Sequence, residues 1–384
     1  MIDAGQIFGL ISWLSLLVLF HLALYPWLKE YLPLVAVPLS WTAGWILTAC
    51  ATWYAVWCGL SPLAGLIPTG VAVLCSGIFH KLHHYRSIPA EWRYYLLFGM
   101  VLLTMLIVRA YNPDINGAEK FMDHGFLASI LRSPGVPPLD PWFAGGSLNV
   151  YYYFGHWIIA TPALMTGIPS YIIFNLALPT IAALSAINLY GVGSLTLKQV
   201  RLLPVLAFFV VNPYFIYLAL TGTRSFTLLW DSSRVIANTI NEYPLFSFLF
   251  GDVHAHVLGI LAQSFLVLLV TTAFTCWRRG APARIVIILL TALGLSVIPA
   301  VNSWDVLFWA PMILVTGLCL LLRECAGLPV LKHPVRLLLK IRMIILHGRT
   351  LCDNPGCAAV LYMILVPVLS LALIGPLLLG MHTQ

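Results

Sequence analysis

Charge is what this sequence has least of. Its 13 Asp and Glu and 20 Lys and Arg make up 9% of 384 residues, where a soluble domain carries about a quarter. That shortage excludes a soluble globular protein. With 61% hydrophobic residues and a mean hydropathy of +0.94, the chain reads instead as an integral membrane protein. Other signals are missing too. MIDAGQIFG lacks the basic n-region and small-residue cleavage site of a signal peptide, so the apolar run behind it is expected to remain as a first helix. No internal repeat or low-complexity tract is evident. The eight Cys are dispersed in apolar helices, which points to packing residues and not to a disulfide framework. The net charge of +7 suggests no nucleic-acid partner, because most basic residues sit in short loops, where membrane topology accounts for them.

What is present is apolar run after apolar run, at 6–28, 33–58, 62–80, 93–110, 170–197, 202–220, 252–277, 284–301, 306–322 and 357–380. These predict about ten spans of an all-α, polytopic, multi-pass protein of the cell membrane. The whole of 1–384 is expected to form a single integral membrane domain. It divides into an N-terminal four-helix section (1–110), a core (111–322), and a cytoplasmic basic loop with a last span (323–384). The positive-inside rule places HKLHHYRSIPAEWR, Lys198 with Arg201, WRRGAPAR, and the stretch holding Arg323, Lys332, Arg336, Lys340, Arg342 and Arg349 in the cytoplasm. One parity problem follows. Two apolar runs separate the outer loop from Lys198, and an odd number is needed. The aromatic segment 151–167, broken by Pro162 and Gly167, is therefore expected to be an interfacial or re-entrant helix that does not cross.

Polar residues gather in three intervals on the outer face, 112–156, 221–256 and 302–305. In the first, Asn112-Pro113-Asp114 sits at the exit of a span, where a partly desolvated carboxylate can serve as a base or ligand. Residues Gly117 to Arg132 predict an amphipathic surface helix with Glu119 and Asp123 at i, i+4. The plain alternative is two acids facing water. Tyr151, Tyr152 and Tyr153 read equally as an aromatic belt, but Tyr152 and His156 share a helical face. In the second interval Arg234, Asn238 and Glu242 predict a polar stripe on a helix capped by Ser232 or Ser233. The GDVHAH that follows brings Asp252 and His256 together at i, i+4 and turns His254 elsewhere unless that turn unwinds. One acid and two His can bind a divalent ion or act as acid and base, or simply form a polar cap. Arg224 and Arg234 offer bidentate partners for a phosphate. Asn302, Ser303, Trp304 and Asp305 form a short turn between spans. The His80, His83, His84 group and Cys352 and Cys357 near His347 lie in basic cytoplasmic segments and are not read as metal sites.

NPDINGAEKFMD, PPLDPWFAGGSLNVYYYFGH, INEYPLFSFLFGDVHAH and NSWD, in that order, resemble the signature segments of the YYY membrane protein family. That family is similar to the glycosyltransferase C superfamily, whose members use polyprenyl-phosphate sugars. The resemblance implies an inverting glycosyltransferase whose partners are the bilayer, a polyprenyl-phosphate sugar and an acceptor of unknown kind. Glu119, or else Asp114, stands at the position of the catalytic acid, with His156 beside it. Asp123, Tyr152, Tyr153, Arg224, Arg234, Glu242, His254, His256, Asn302, Trp304 and Asp305 would hold substrate, and Asp252 with His256 would hold a divalent metal ion, Mg or Mn. Two features depart from the pattern. More spans precede the acidic loop than in those enzymes, and GAEK replaces the usual Asp-Glu pair. The rival readings are a transporter and a lipid-binding or structural membrane subunit, for which the same polar groups bind without reacting.

Overall fold

A computed structural model describes residues 4–79, 81–148, 152–325 and 352–380. The chain forms α1 (Ala4–Tyr31), α2 (Ala36–Trp57), α3 (Ile67–Ile78), α4 (Trp92–Tyr111), α5 (Lys120–Arg132), α6 (Tyr153–Thr166) and α7 (Ser170–Thr196). Four short helices follow, α8 (Leu203–Phe208), α9 (Pro213–Leu220), α10 (Ser225–Ser232) and α11 (Pro244–Phe250). The chain closes with α12 (Ala255–Cys276), α13 (Ala281–Val301), α14 (Val306–Cys325) and α15 (Pro355–Gly380). Among the described residues the only β pairing is an isolated bridge between Leu139 and Ser147. The protein is an all-α, multi-pass membrane protein.

Against the expectation of about ten spans, seven helical stretches are long and apolar enough to cross a membrane: Ala4–Tyr31, Lys81–Tyr111, Ser170–Thr196, Ala255–Arg279, Ala281–Val301, Ser303–Cys325 and Pro355–Gly380. The expected span at 202–220 is not one helix. It divides into α8 and α9 because Asn212 caps a new start, its side chain accepting from Phe215 N at 2.8 Å, and Pro213 takes the first helical position. The run at 62–80 gives a five-residue 3₁₀ turn and the twelve-residue α3. The basic residues Lys332, Arg336, Lys340, Arg342 and Arg349, with His347, His80 and Tyr151, lie outside the described residues.

Pairings at the helix ends show which ends of the bundle lie together. Lys29 and Glu30 at the end of α1 pair with Glu91 and Lys81 of the segment assigned to the cytoplasm. At the opposite end of α2, Tyr54 donates to the Leu373 carbonyl of α15. α7 and α12 run side by side in the same direction, joined at mid-depth where Asn188 Nδ2 donates to Ser264 Oγ at 3.1 Å. Buried polar groups at this depth have no water to turn to, so such pairing is obligatory.

α6 is the element that positions the site. It is buried along most of its length, and three indoles hold it. Trp53 Nε1 donates to Tyr153 Oη at 2.9 Å, Trp45 Nε1 to the Ile158 carbonyl at 2.9 Å, and Trp157 Nε1 to the Ala49 carbonyl at 3.2 Å. Both ends of α6 meet α5: His156 lies 3.2 Å from Asp123, and Ser170, just past its end, bonds His124 at 3.0 Å. Asp123 and His124 are neighbours on one helix, so the two ends of α6 lie on the same side of the bundle, as a re-entrant segment requires. Gly167, with φ of +73°, makes the return turn. A membrane-impermeant thiol reagent is therefore expected to label Ser133→Cys from the outer side and Arg279→Cys from the inner side only. Labelling of both from one side would overturn this topology.

Candidate functional site

α5 is amphipathic in a way that its charges disguise. Phe126, Leu127 and Ile130 are buried against α6 and α7, and Asp123 lies on that same stripe at i−3, i−4 and i−7. It is fully buried, not solvated as the plain reading of its i, i+4 spacing with Glu119 required. The surface helix begins at Lys120, because Gly117 (φ +74°) and Ala118 (φ +48°) form a tight left-handed turn before it. Glu119 sits at the cap, with its side chain 60% exposed.

The GDVHAH segment meets α5 because its first turn is unwound. Gly251 takes a left-handed φ of +77°, and α12 starts only at Ala255, so His254 is an extended cap residue. This frees His254 from the helical i, i+4 geometry expected of the segment. Its Nδ1 lies 3.2 Å from Glu119 Oε2 and 3.5 Å from Asp123 Oδ2. The other Asp123 oxygen is 3.2 Å from His156 Nε2, and both groups are fully buried. These are ion-pair distances off the hydrogen-bonding line. Both Asp123 oxygens, both His156 ring nitrogens, His254 Nδ1 and Asp252 Oδ1 are buried without an aligned hydrogen bond. Six buried polar atoms without an aligned partner in one place are costly to the fold.

Electrostatics ties the cluster together. Burial pushes the Asp123 carboxyl up, but the His156 and His254 imidazoles overcome it and hold the group below the usual carboxylate range. Burial works against charge on His254, and Asp123 and Glu119 outweigh it, so this imidazole is raised. Asp252 goes the other way. Burial, with Asp123 nearby, lifts it from 3.8 to about 7. Glu242 is held low because His256 Nε2, 3.0 Å from its carboxylate, overcomes the effect of burial. His254 and His256 rings are 5.7 Å apart, so the Glu242 pair adjoins the Asp123 cluster. Tyr152 packs against both imidazoles, its ring 6.2 Å from His156 and 5.4 Å from His254.

The pH consequence has a definite sign. A carboxyl raised in the fold is most favourable when protonated, so the Asp252 contribution declines as pH rises from 3.8 towards about 7. The stabilisation from raised His254 is full below 6.5 and is lost as pH rises through its folded value. The thermal midpoint of the solubilised protein is thus expected to fall between pH 5 and 8, and to fall less in Asp252→Asn. Equal slopes in the two proteins would contradict the assignment.

With this geometry in place, the sequence comparisons take on meaning. Residues 39–384 match the family described as "Uncharacterized membrane protein (DUF2298)". The chain belongs to that family. No curated protein matches it, and no solved structure does.

Other expected site residues of this family member fall in different places. Asp114 is exposed and lies outside the imidazole cluster, its charge felt by Arg109 and Lys120. Tyr153 is buried with its hydroxyl used by Trp53, and it borders an apolar cavity walled by Trp57, Pro137 and Pro376. The predicted stripe of Arg234, Asn238 and Glu242 does not form. α10 ends at Ser232, Ser232 and Ser233 bond backwards to the Leu229 and Trp230 carbonyls, and Asn238 is a turn residue with φ of +62°. Arg234 stacks 4.1 Å over Trp230, and Arg224 bonds the Ala219 and Thr223 carbonyls, so both guanidinium groups are engaged locally. Asp305 accepts from Gln263 Nε2 at 2.7 Å, Asn302 is buried beside it, and Trp304 is exposed. Asp252 and His256 flank the cluster, but among the described residues no group of three or more His, Cys, Asp or Glu is disposed to hold a metal ion.

Sequence reasoning gave no role to Arg109 and Lys120, which are both buried beside the cluster. The signal was available. Arg109 is a lone cation in the last turn of an apolar span, and Lys120 lies on the same stripe as Asp123 and Leu127.

Proposed function

We propose that this protein is an inverting membrane glycosyltransferase that takes a sugar from a polyprenyl-phosphate donor at the non-cytoplasmic face. One observation carries the reading: the carboxylates of the first outer loop, Glu119 and Asp123, converge on His254 of a distant segment above a re-entrant aromatic helix. The acidic loop, the surface helix and the Pro-containing aromatic helix follow the pattern that the resemblance to the glycosyltransferase C superfamily implies, and the approach of His254 adds to it.

In the reaction, Glu119 takes the proton of the acceptor hydroxyl while the acceptor oxygen bonds to the anomeric carbon from the face opposite the phosphate. The bond from that carbon to the phosphate oxygen breaks, and its electron pair leaves with the lipid phosphate. Glu119 suits the role because it is the exposed carboxylate of the cluster, which an acceptor hydroxyl can approach from solvent. Asp123, buried against His156, supports the charge on His254 together with Glu119 itself, so that Glu119 faces a cation. Tyr152 forms one aromatic wall. A divalent ion at Asp252 and His256 would need ligands beyond these two, so no step is routed through it.

Glu119→Gln tests the proposal. It keeps size and hydrogen bonding but cannot accept the proton, so donor consumption in proteoliposomes supplied with a membrane extract as acceptor source should fall by about 10²–10⁴. Donor binding should survive. Consumption undiminished in Glu119→Gln would sink Glu119 as the base, and a binding protein or transporter would consume no donor even in the wild type.

A further inference from the structure

Arg109 is 3% exposed at the outer end of α4, and its charge is met by no carboxylate within ion-pair distance among the described residues. Its Nε and Nη2 both donate to Asn175 Oδ1, at 3.0 and 2.6 Å. Asn175 spends its own amide on the Pro113 and Tyr171 carbonyls, which fixes the acceptor oxygen towards Arg109. A neutral amide thus aims the guanidinium without cancelling its charge. The remaining nitrogen, Nη1, is directed at Gly251, where any Cβ would run into it. Lys120, also 3% exposed, makes no hydrogen bond or ion pair among the described residues. Its ammonium lies 4.7 Å from the Phe250 ring centroid.

The two cations are near enough to repel. Burial first, and then Arg109, lower the Lys120 amine from its ordinary value. Asp252 and Asp114 act on Lys120 only from beyond ion-pair distance, and two buried cations so weakly compensated are costly, a cost that an anion with several acceptor oxygens relieves. A guanidinium edge beside an ammonium suits phosphate geometry. Asp114, whose charge both cations feel, is exposed and not within ion-pair distance.

We infer that Arg109 and Lys120, framed by Asn175, Phe250 and Gly251, form a buried binding site for a phosphate group at the outer end of the bundle. The site takes the place of Arg224 and Arg234, whose guanidinium groups are engaged locally. It adjoins Glu119 through Lys120, the next residue, and so lies where the leaving phosphate of the proposed reaction would rest. It depends on that reaction only for which lipid carries the phosphate.

The test uses the full chain in phosphatidylcholine nanodiscs, titrated with farnesyl phosphate, farnesol and inorganic phosphate. Farnesyl phosphate is expected to bind and farnesol is not. Lys120→Met should weaken phosphate binding on the order of 10- to 100-fold, the loss of one charge-assisted contact. Arg109→Lys, which keeps charge but loses the fork, should also weaken it while retaining a cooperative melt. Inorganic phosphate competing at similar concentration would identify a free-phosphate site, and its failure to compete would identify a lipid headgroup site. Either outcome supports the inference. Folded wild type that binds neither anion, or binding equal in wild type, Lys120→Met and Arg109→Lys, would overturn it. If the anion binds but the wild type consumes no donor, the site stands and the glycosyltransferase reading falls.

Discussion

Asp123→Asn is expected to lose both turnover and fold stability, and to lose more of each than any other substitution on α5. Asp123 is fully buried between His156 and His254 and is held ionised by them. Asparagine keeps the shape but removes the charge, which leaves His156 buried with no ion partner and His254 with Glu119 alone. Breaking one side of a buried pair typically costs about 3–5 kcal/mol, because the abandoned charge stays desolvated. His254, raised in the wild type by Asp123 and Glu119, loses part of that support, so a pH dependence should accompany the loss. The Asp123 contribution to wild-type stability is present above 3.8 and is lost as pH falls through its lower folded value. The gap in thermal midpoint between wild type and Asp123→Asn should therefore be wide at pH 7 and narrow towards pH 3. A gap that does not change with pH would mean that Asp123 acts only as packing.

Gly251→Ala should separate function from fold. The left-handed φ of +77° costs an alanine about 1–2 kcal/mol, a tolerable loss for a protein of this size. The new methyl group would collide with the Arg109 guanidinium, the mobile end of a long side chain, which can move aside. Moving it breaks the pair of bonds to Asn175 and the aim of Nη1. Phosphate binding and donor consumption are thus expected to fall by on the order of 10-fold or more, while the melting curve shifts only slightly. Titration with farnesyl phosphate beside a thermal melt checks this. A large stability loss with unchanged binding in the surviving protein would show that Gly251 serves the backbone turn and nothing else.

The membrane character and the main helices were legible in the sequence because long apolar runs leave little choice of structure. Parity among the basic loops singled out 151–167 as a segment that does not cross, and α6 is in fact too short to stand among the seven span-length helices. The run at 202–220 reads as one span because it is apolar apart from Asn212. Its Asn212-Pro213 pair, a start signal inside the run, was the local evidence against a continuous helix. The stripe through Arg234, Asn238 and Glu242 was misread for the opposite reason: periodic spacing was present, but Tyr243 and Glu242 found partners elsewhere, Ser232 and His256, and no helix formed.

The site was legible in its ingredients and not in its pairings. Glu119, His156, Asp252, His254 and His256 were all expected as functional groups, yet nothing in the sequence says that residue 123 meets residues 156 and 254. That meeting depends on α6 folding back and on the unwinding at Gly251, both of them tertiary outcomes. Asp123 was classed with Glu119 because they are i, i+4. The stronger evidence was that it also stands i−3, i−4 and i−7 to Phe126, Leu127 and Ile130, which puts a carboxylate on the buried face. An acid on an apolar stripe of a surface helix is costly unless something binds there.

The central claim is that the first outer loop and the GDVHAH segment act as one catalytic unit, and a double-variant cycle measures this most directly. Donor consumption is compared in wild type, Glu119→Gln, His254→Gln and the double variant, all in proteoliposomes at one pH. If the pair 3.2 Å apart works as a unit, each single variant loses most of the rate and the double variant is scarcely slower than either. Losses that multiply, or a His254→Gln protein that consumes donor at the wild-type rate, would contradict the account.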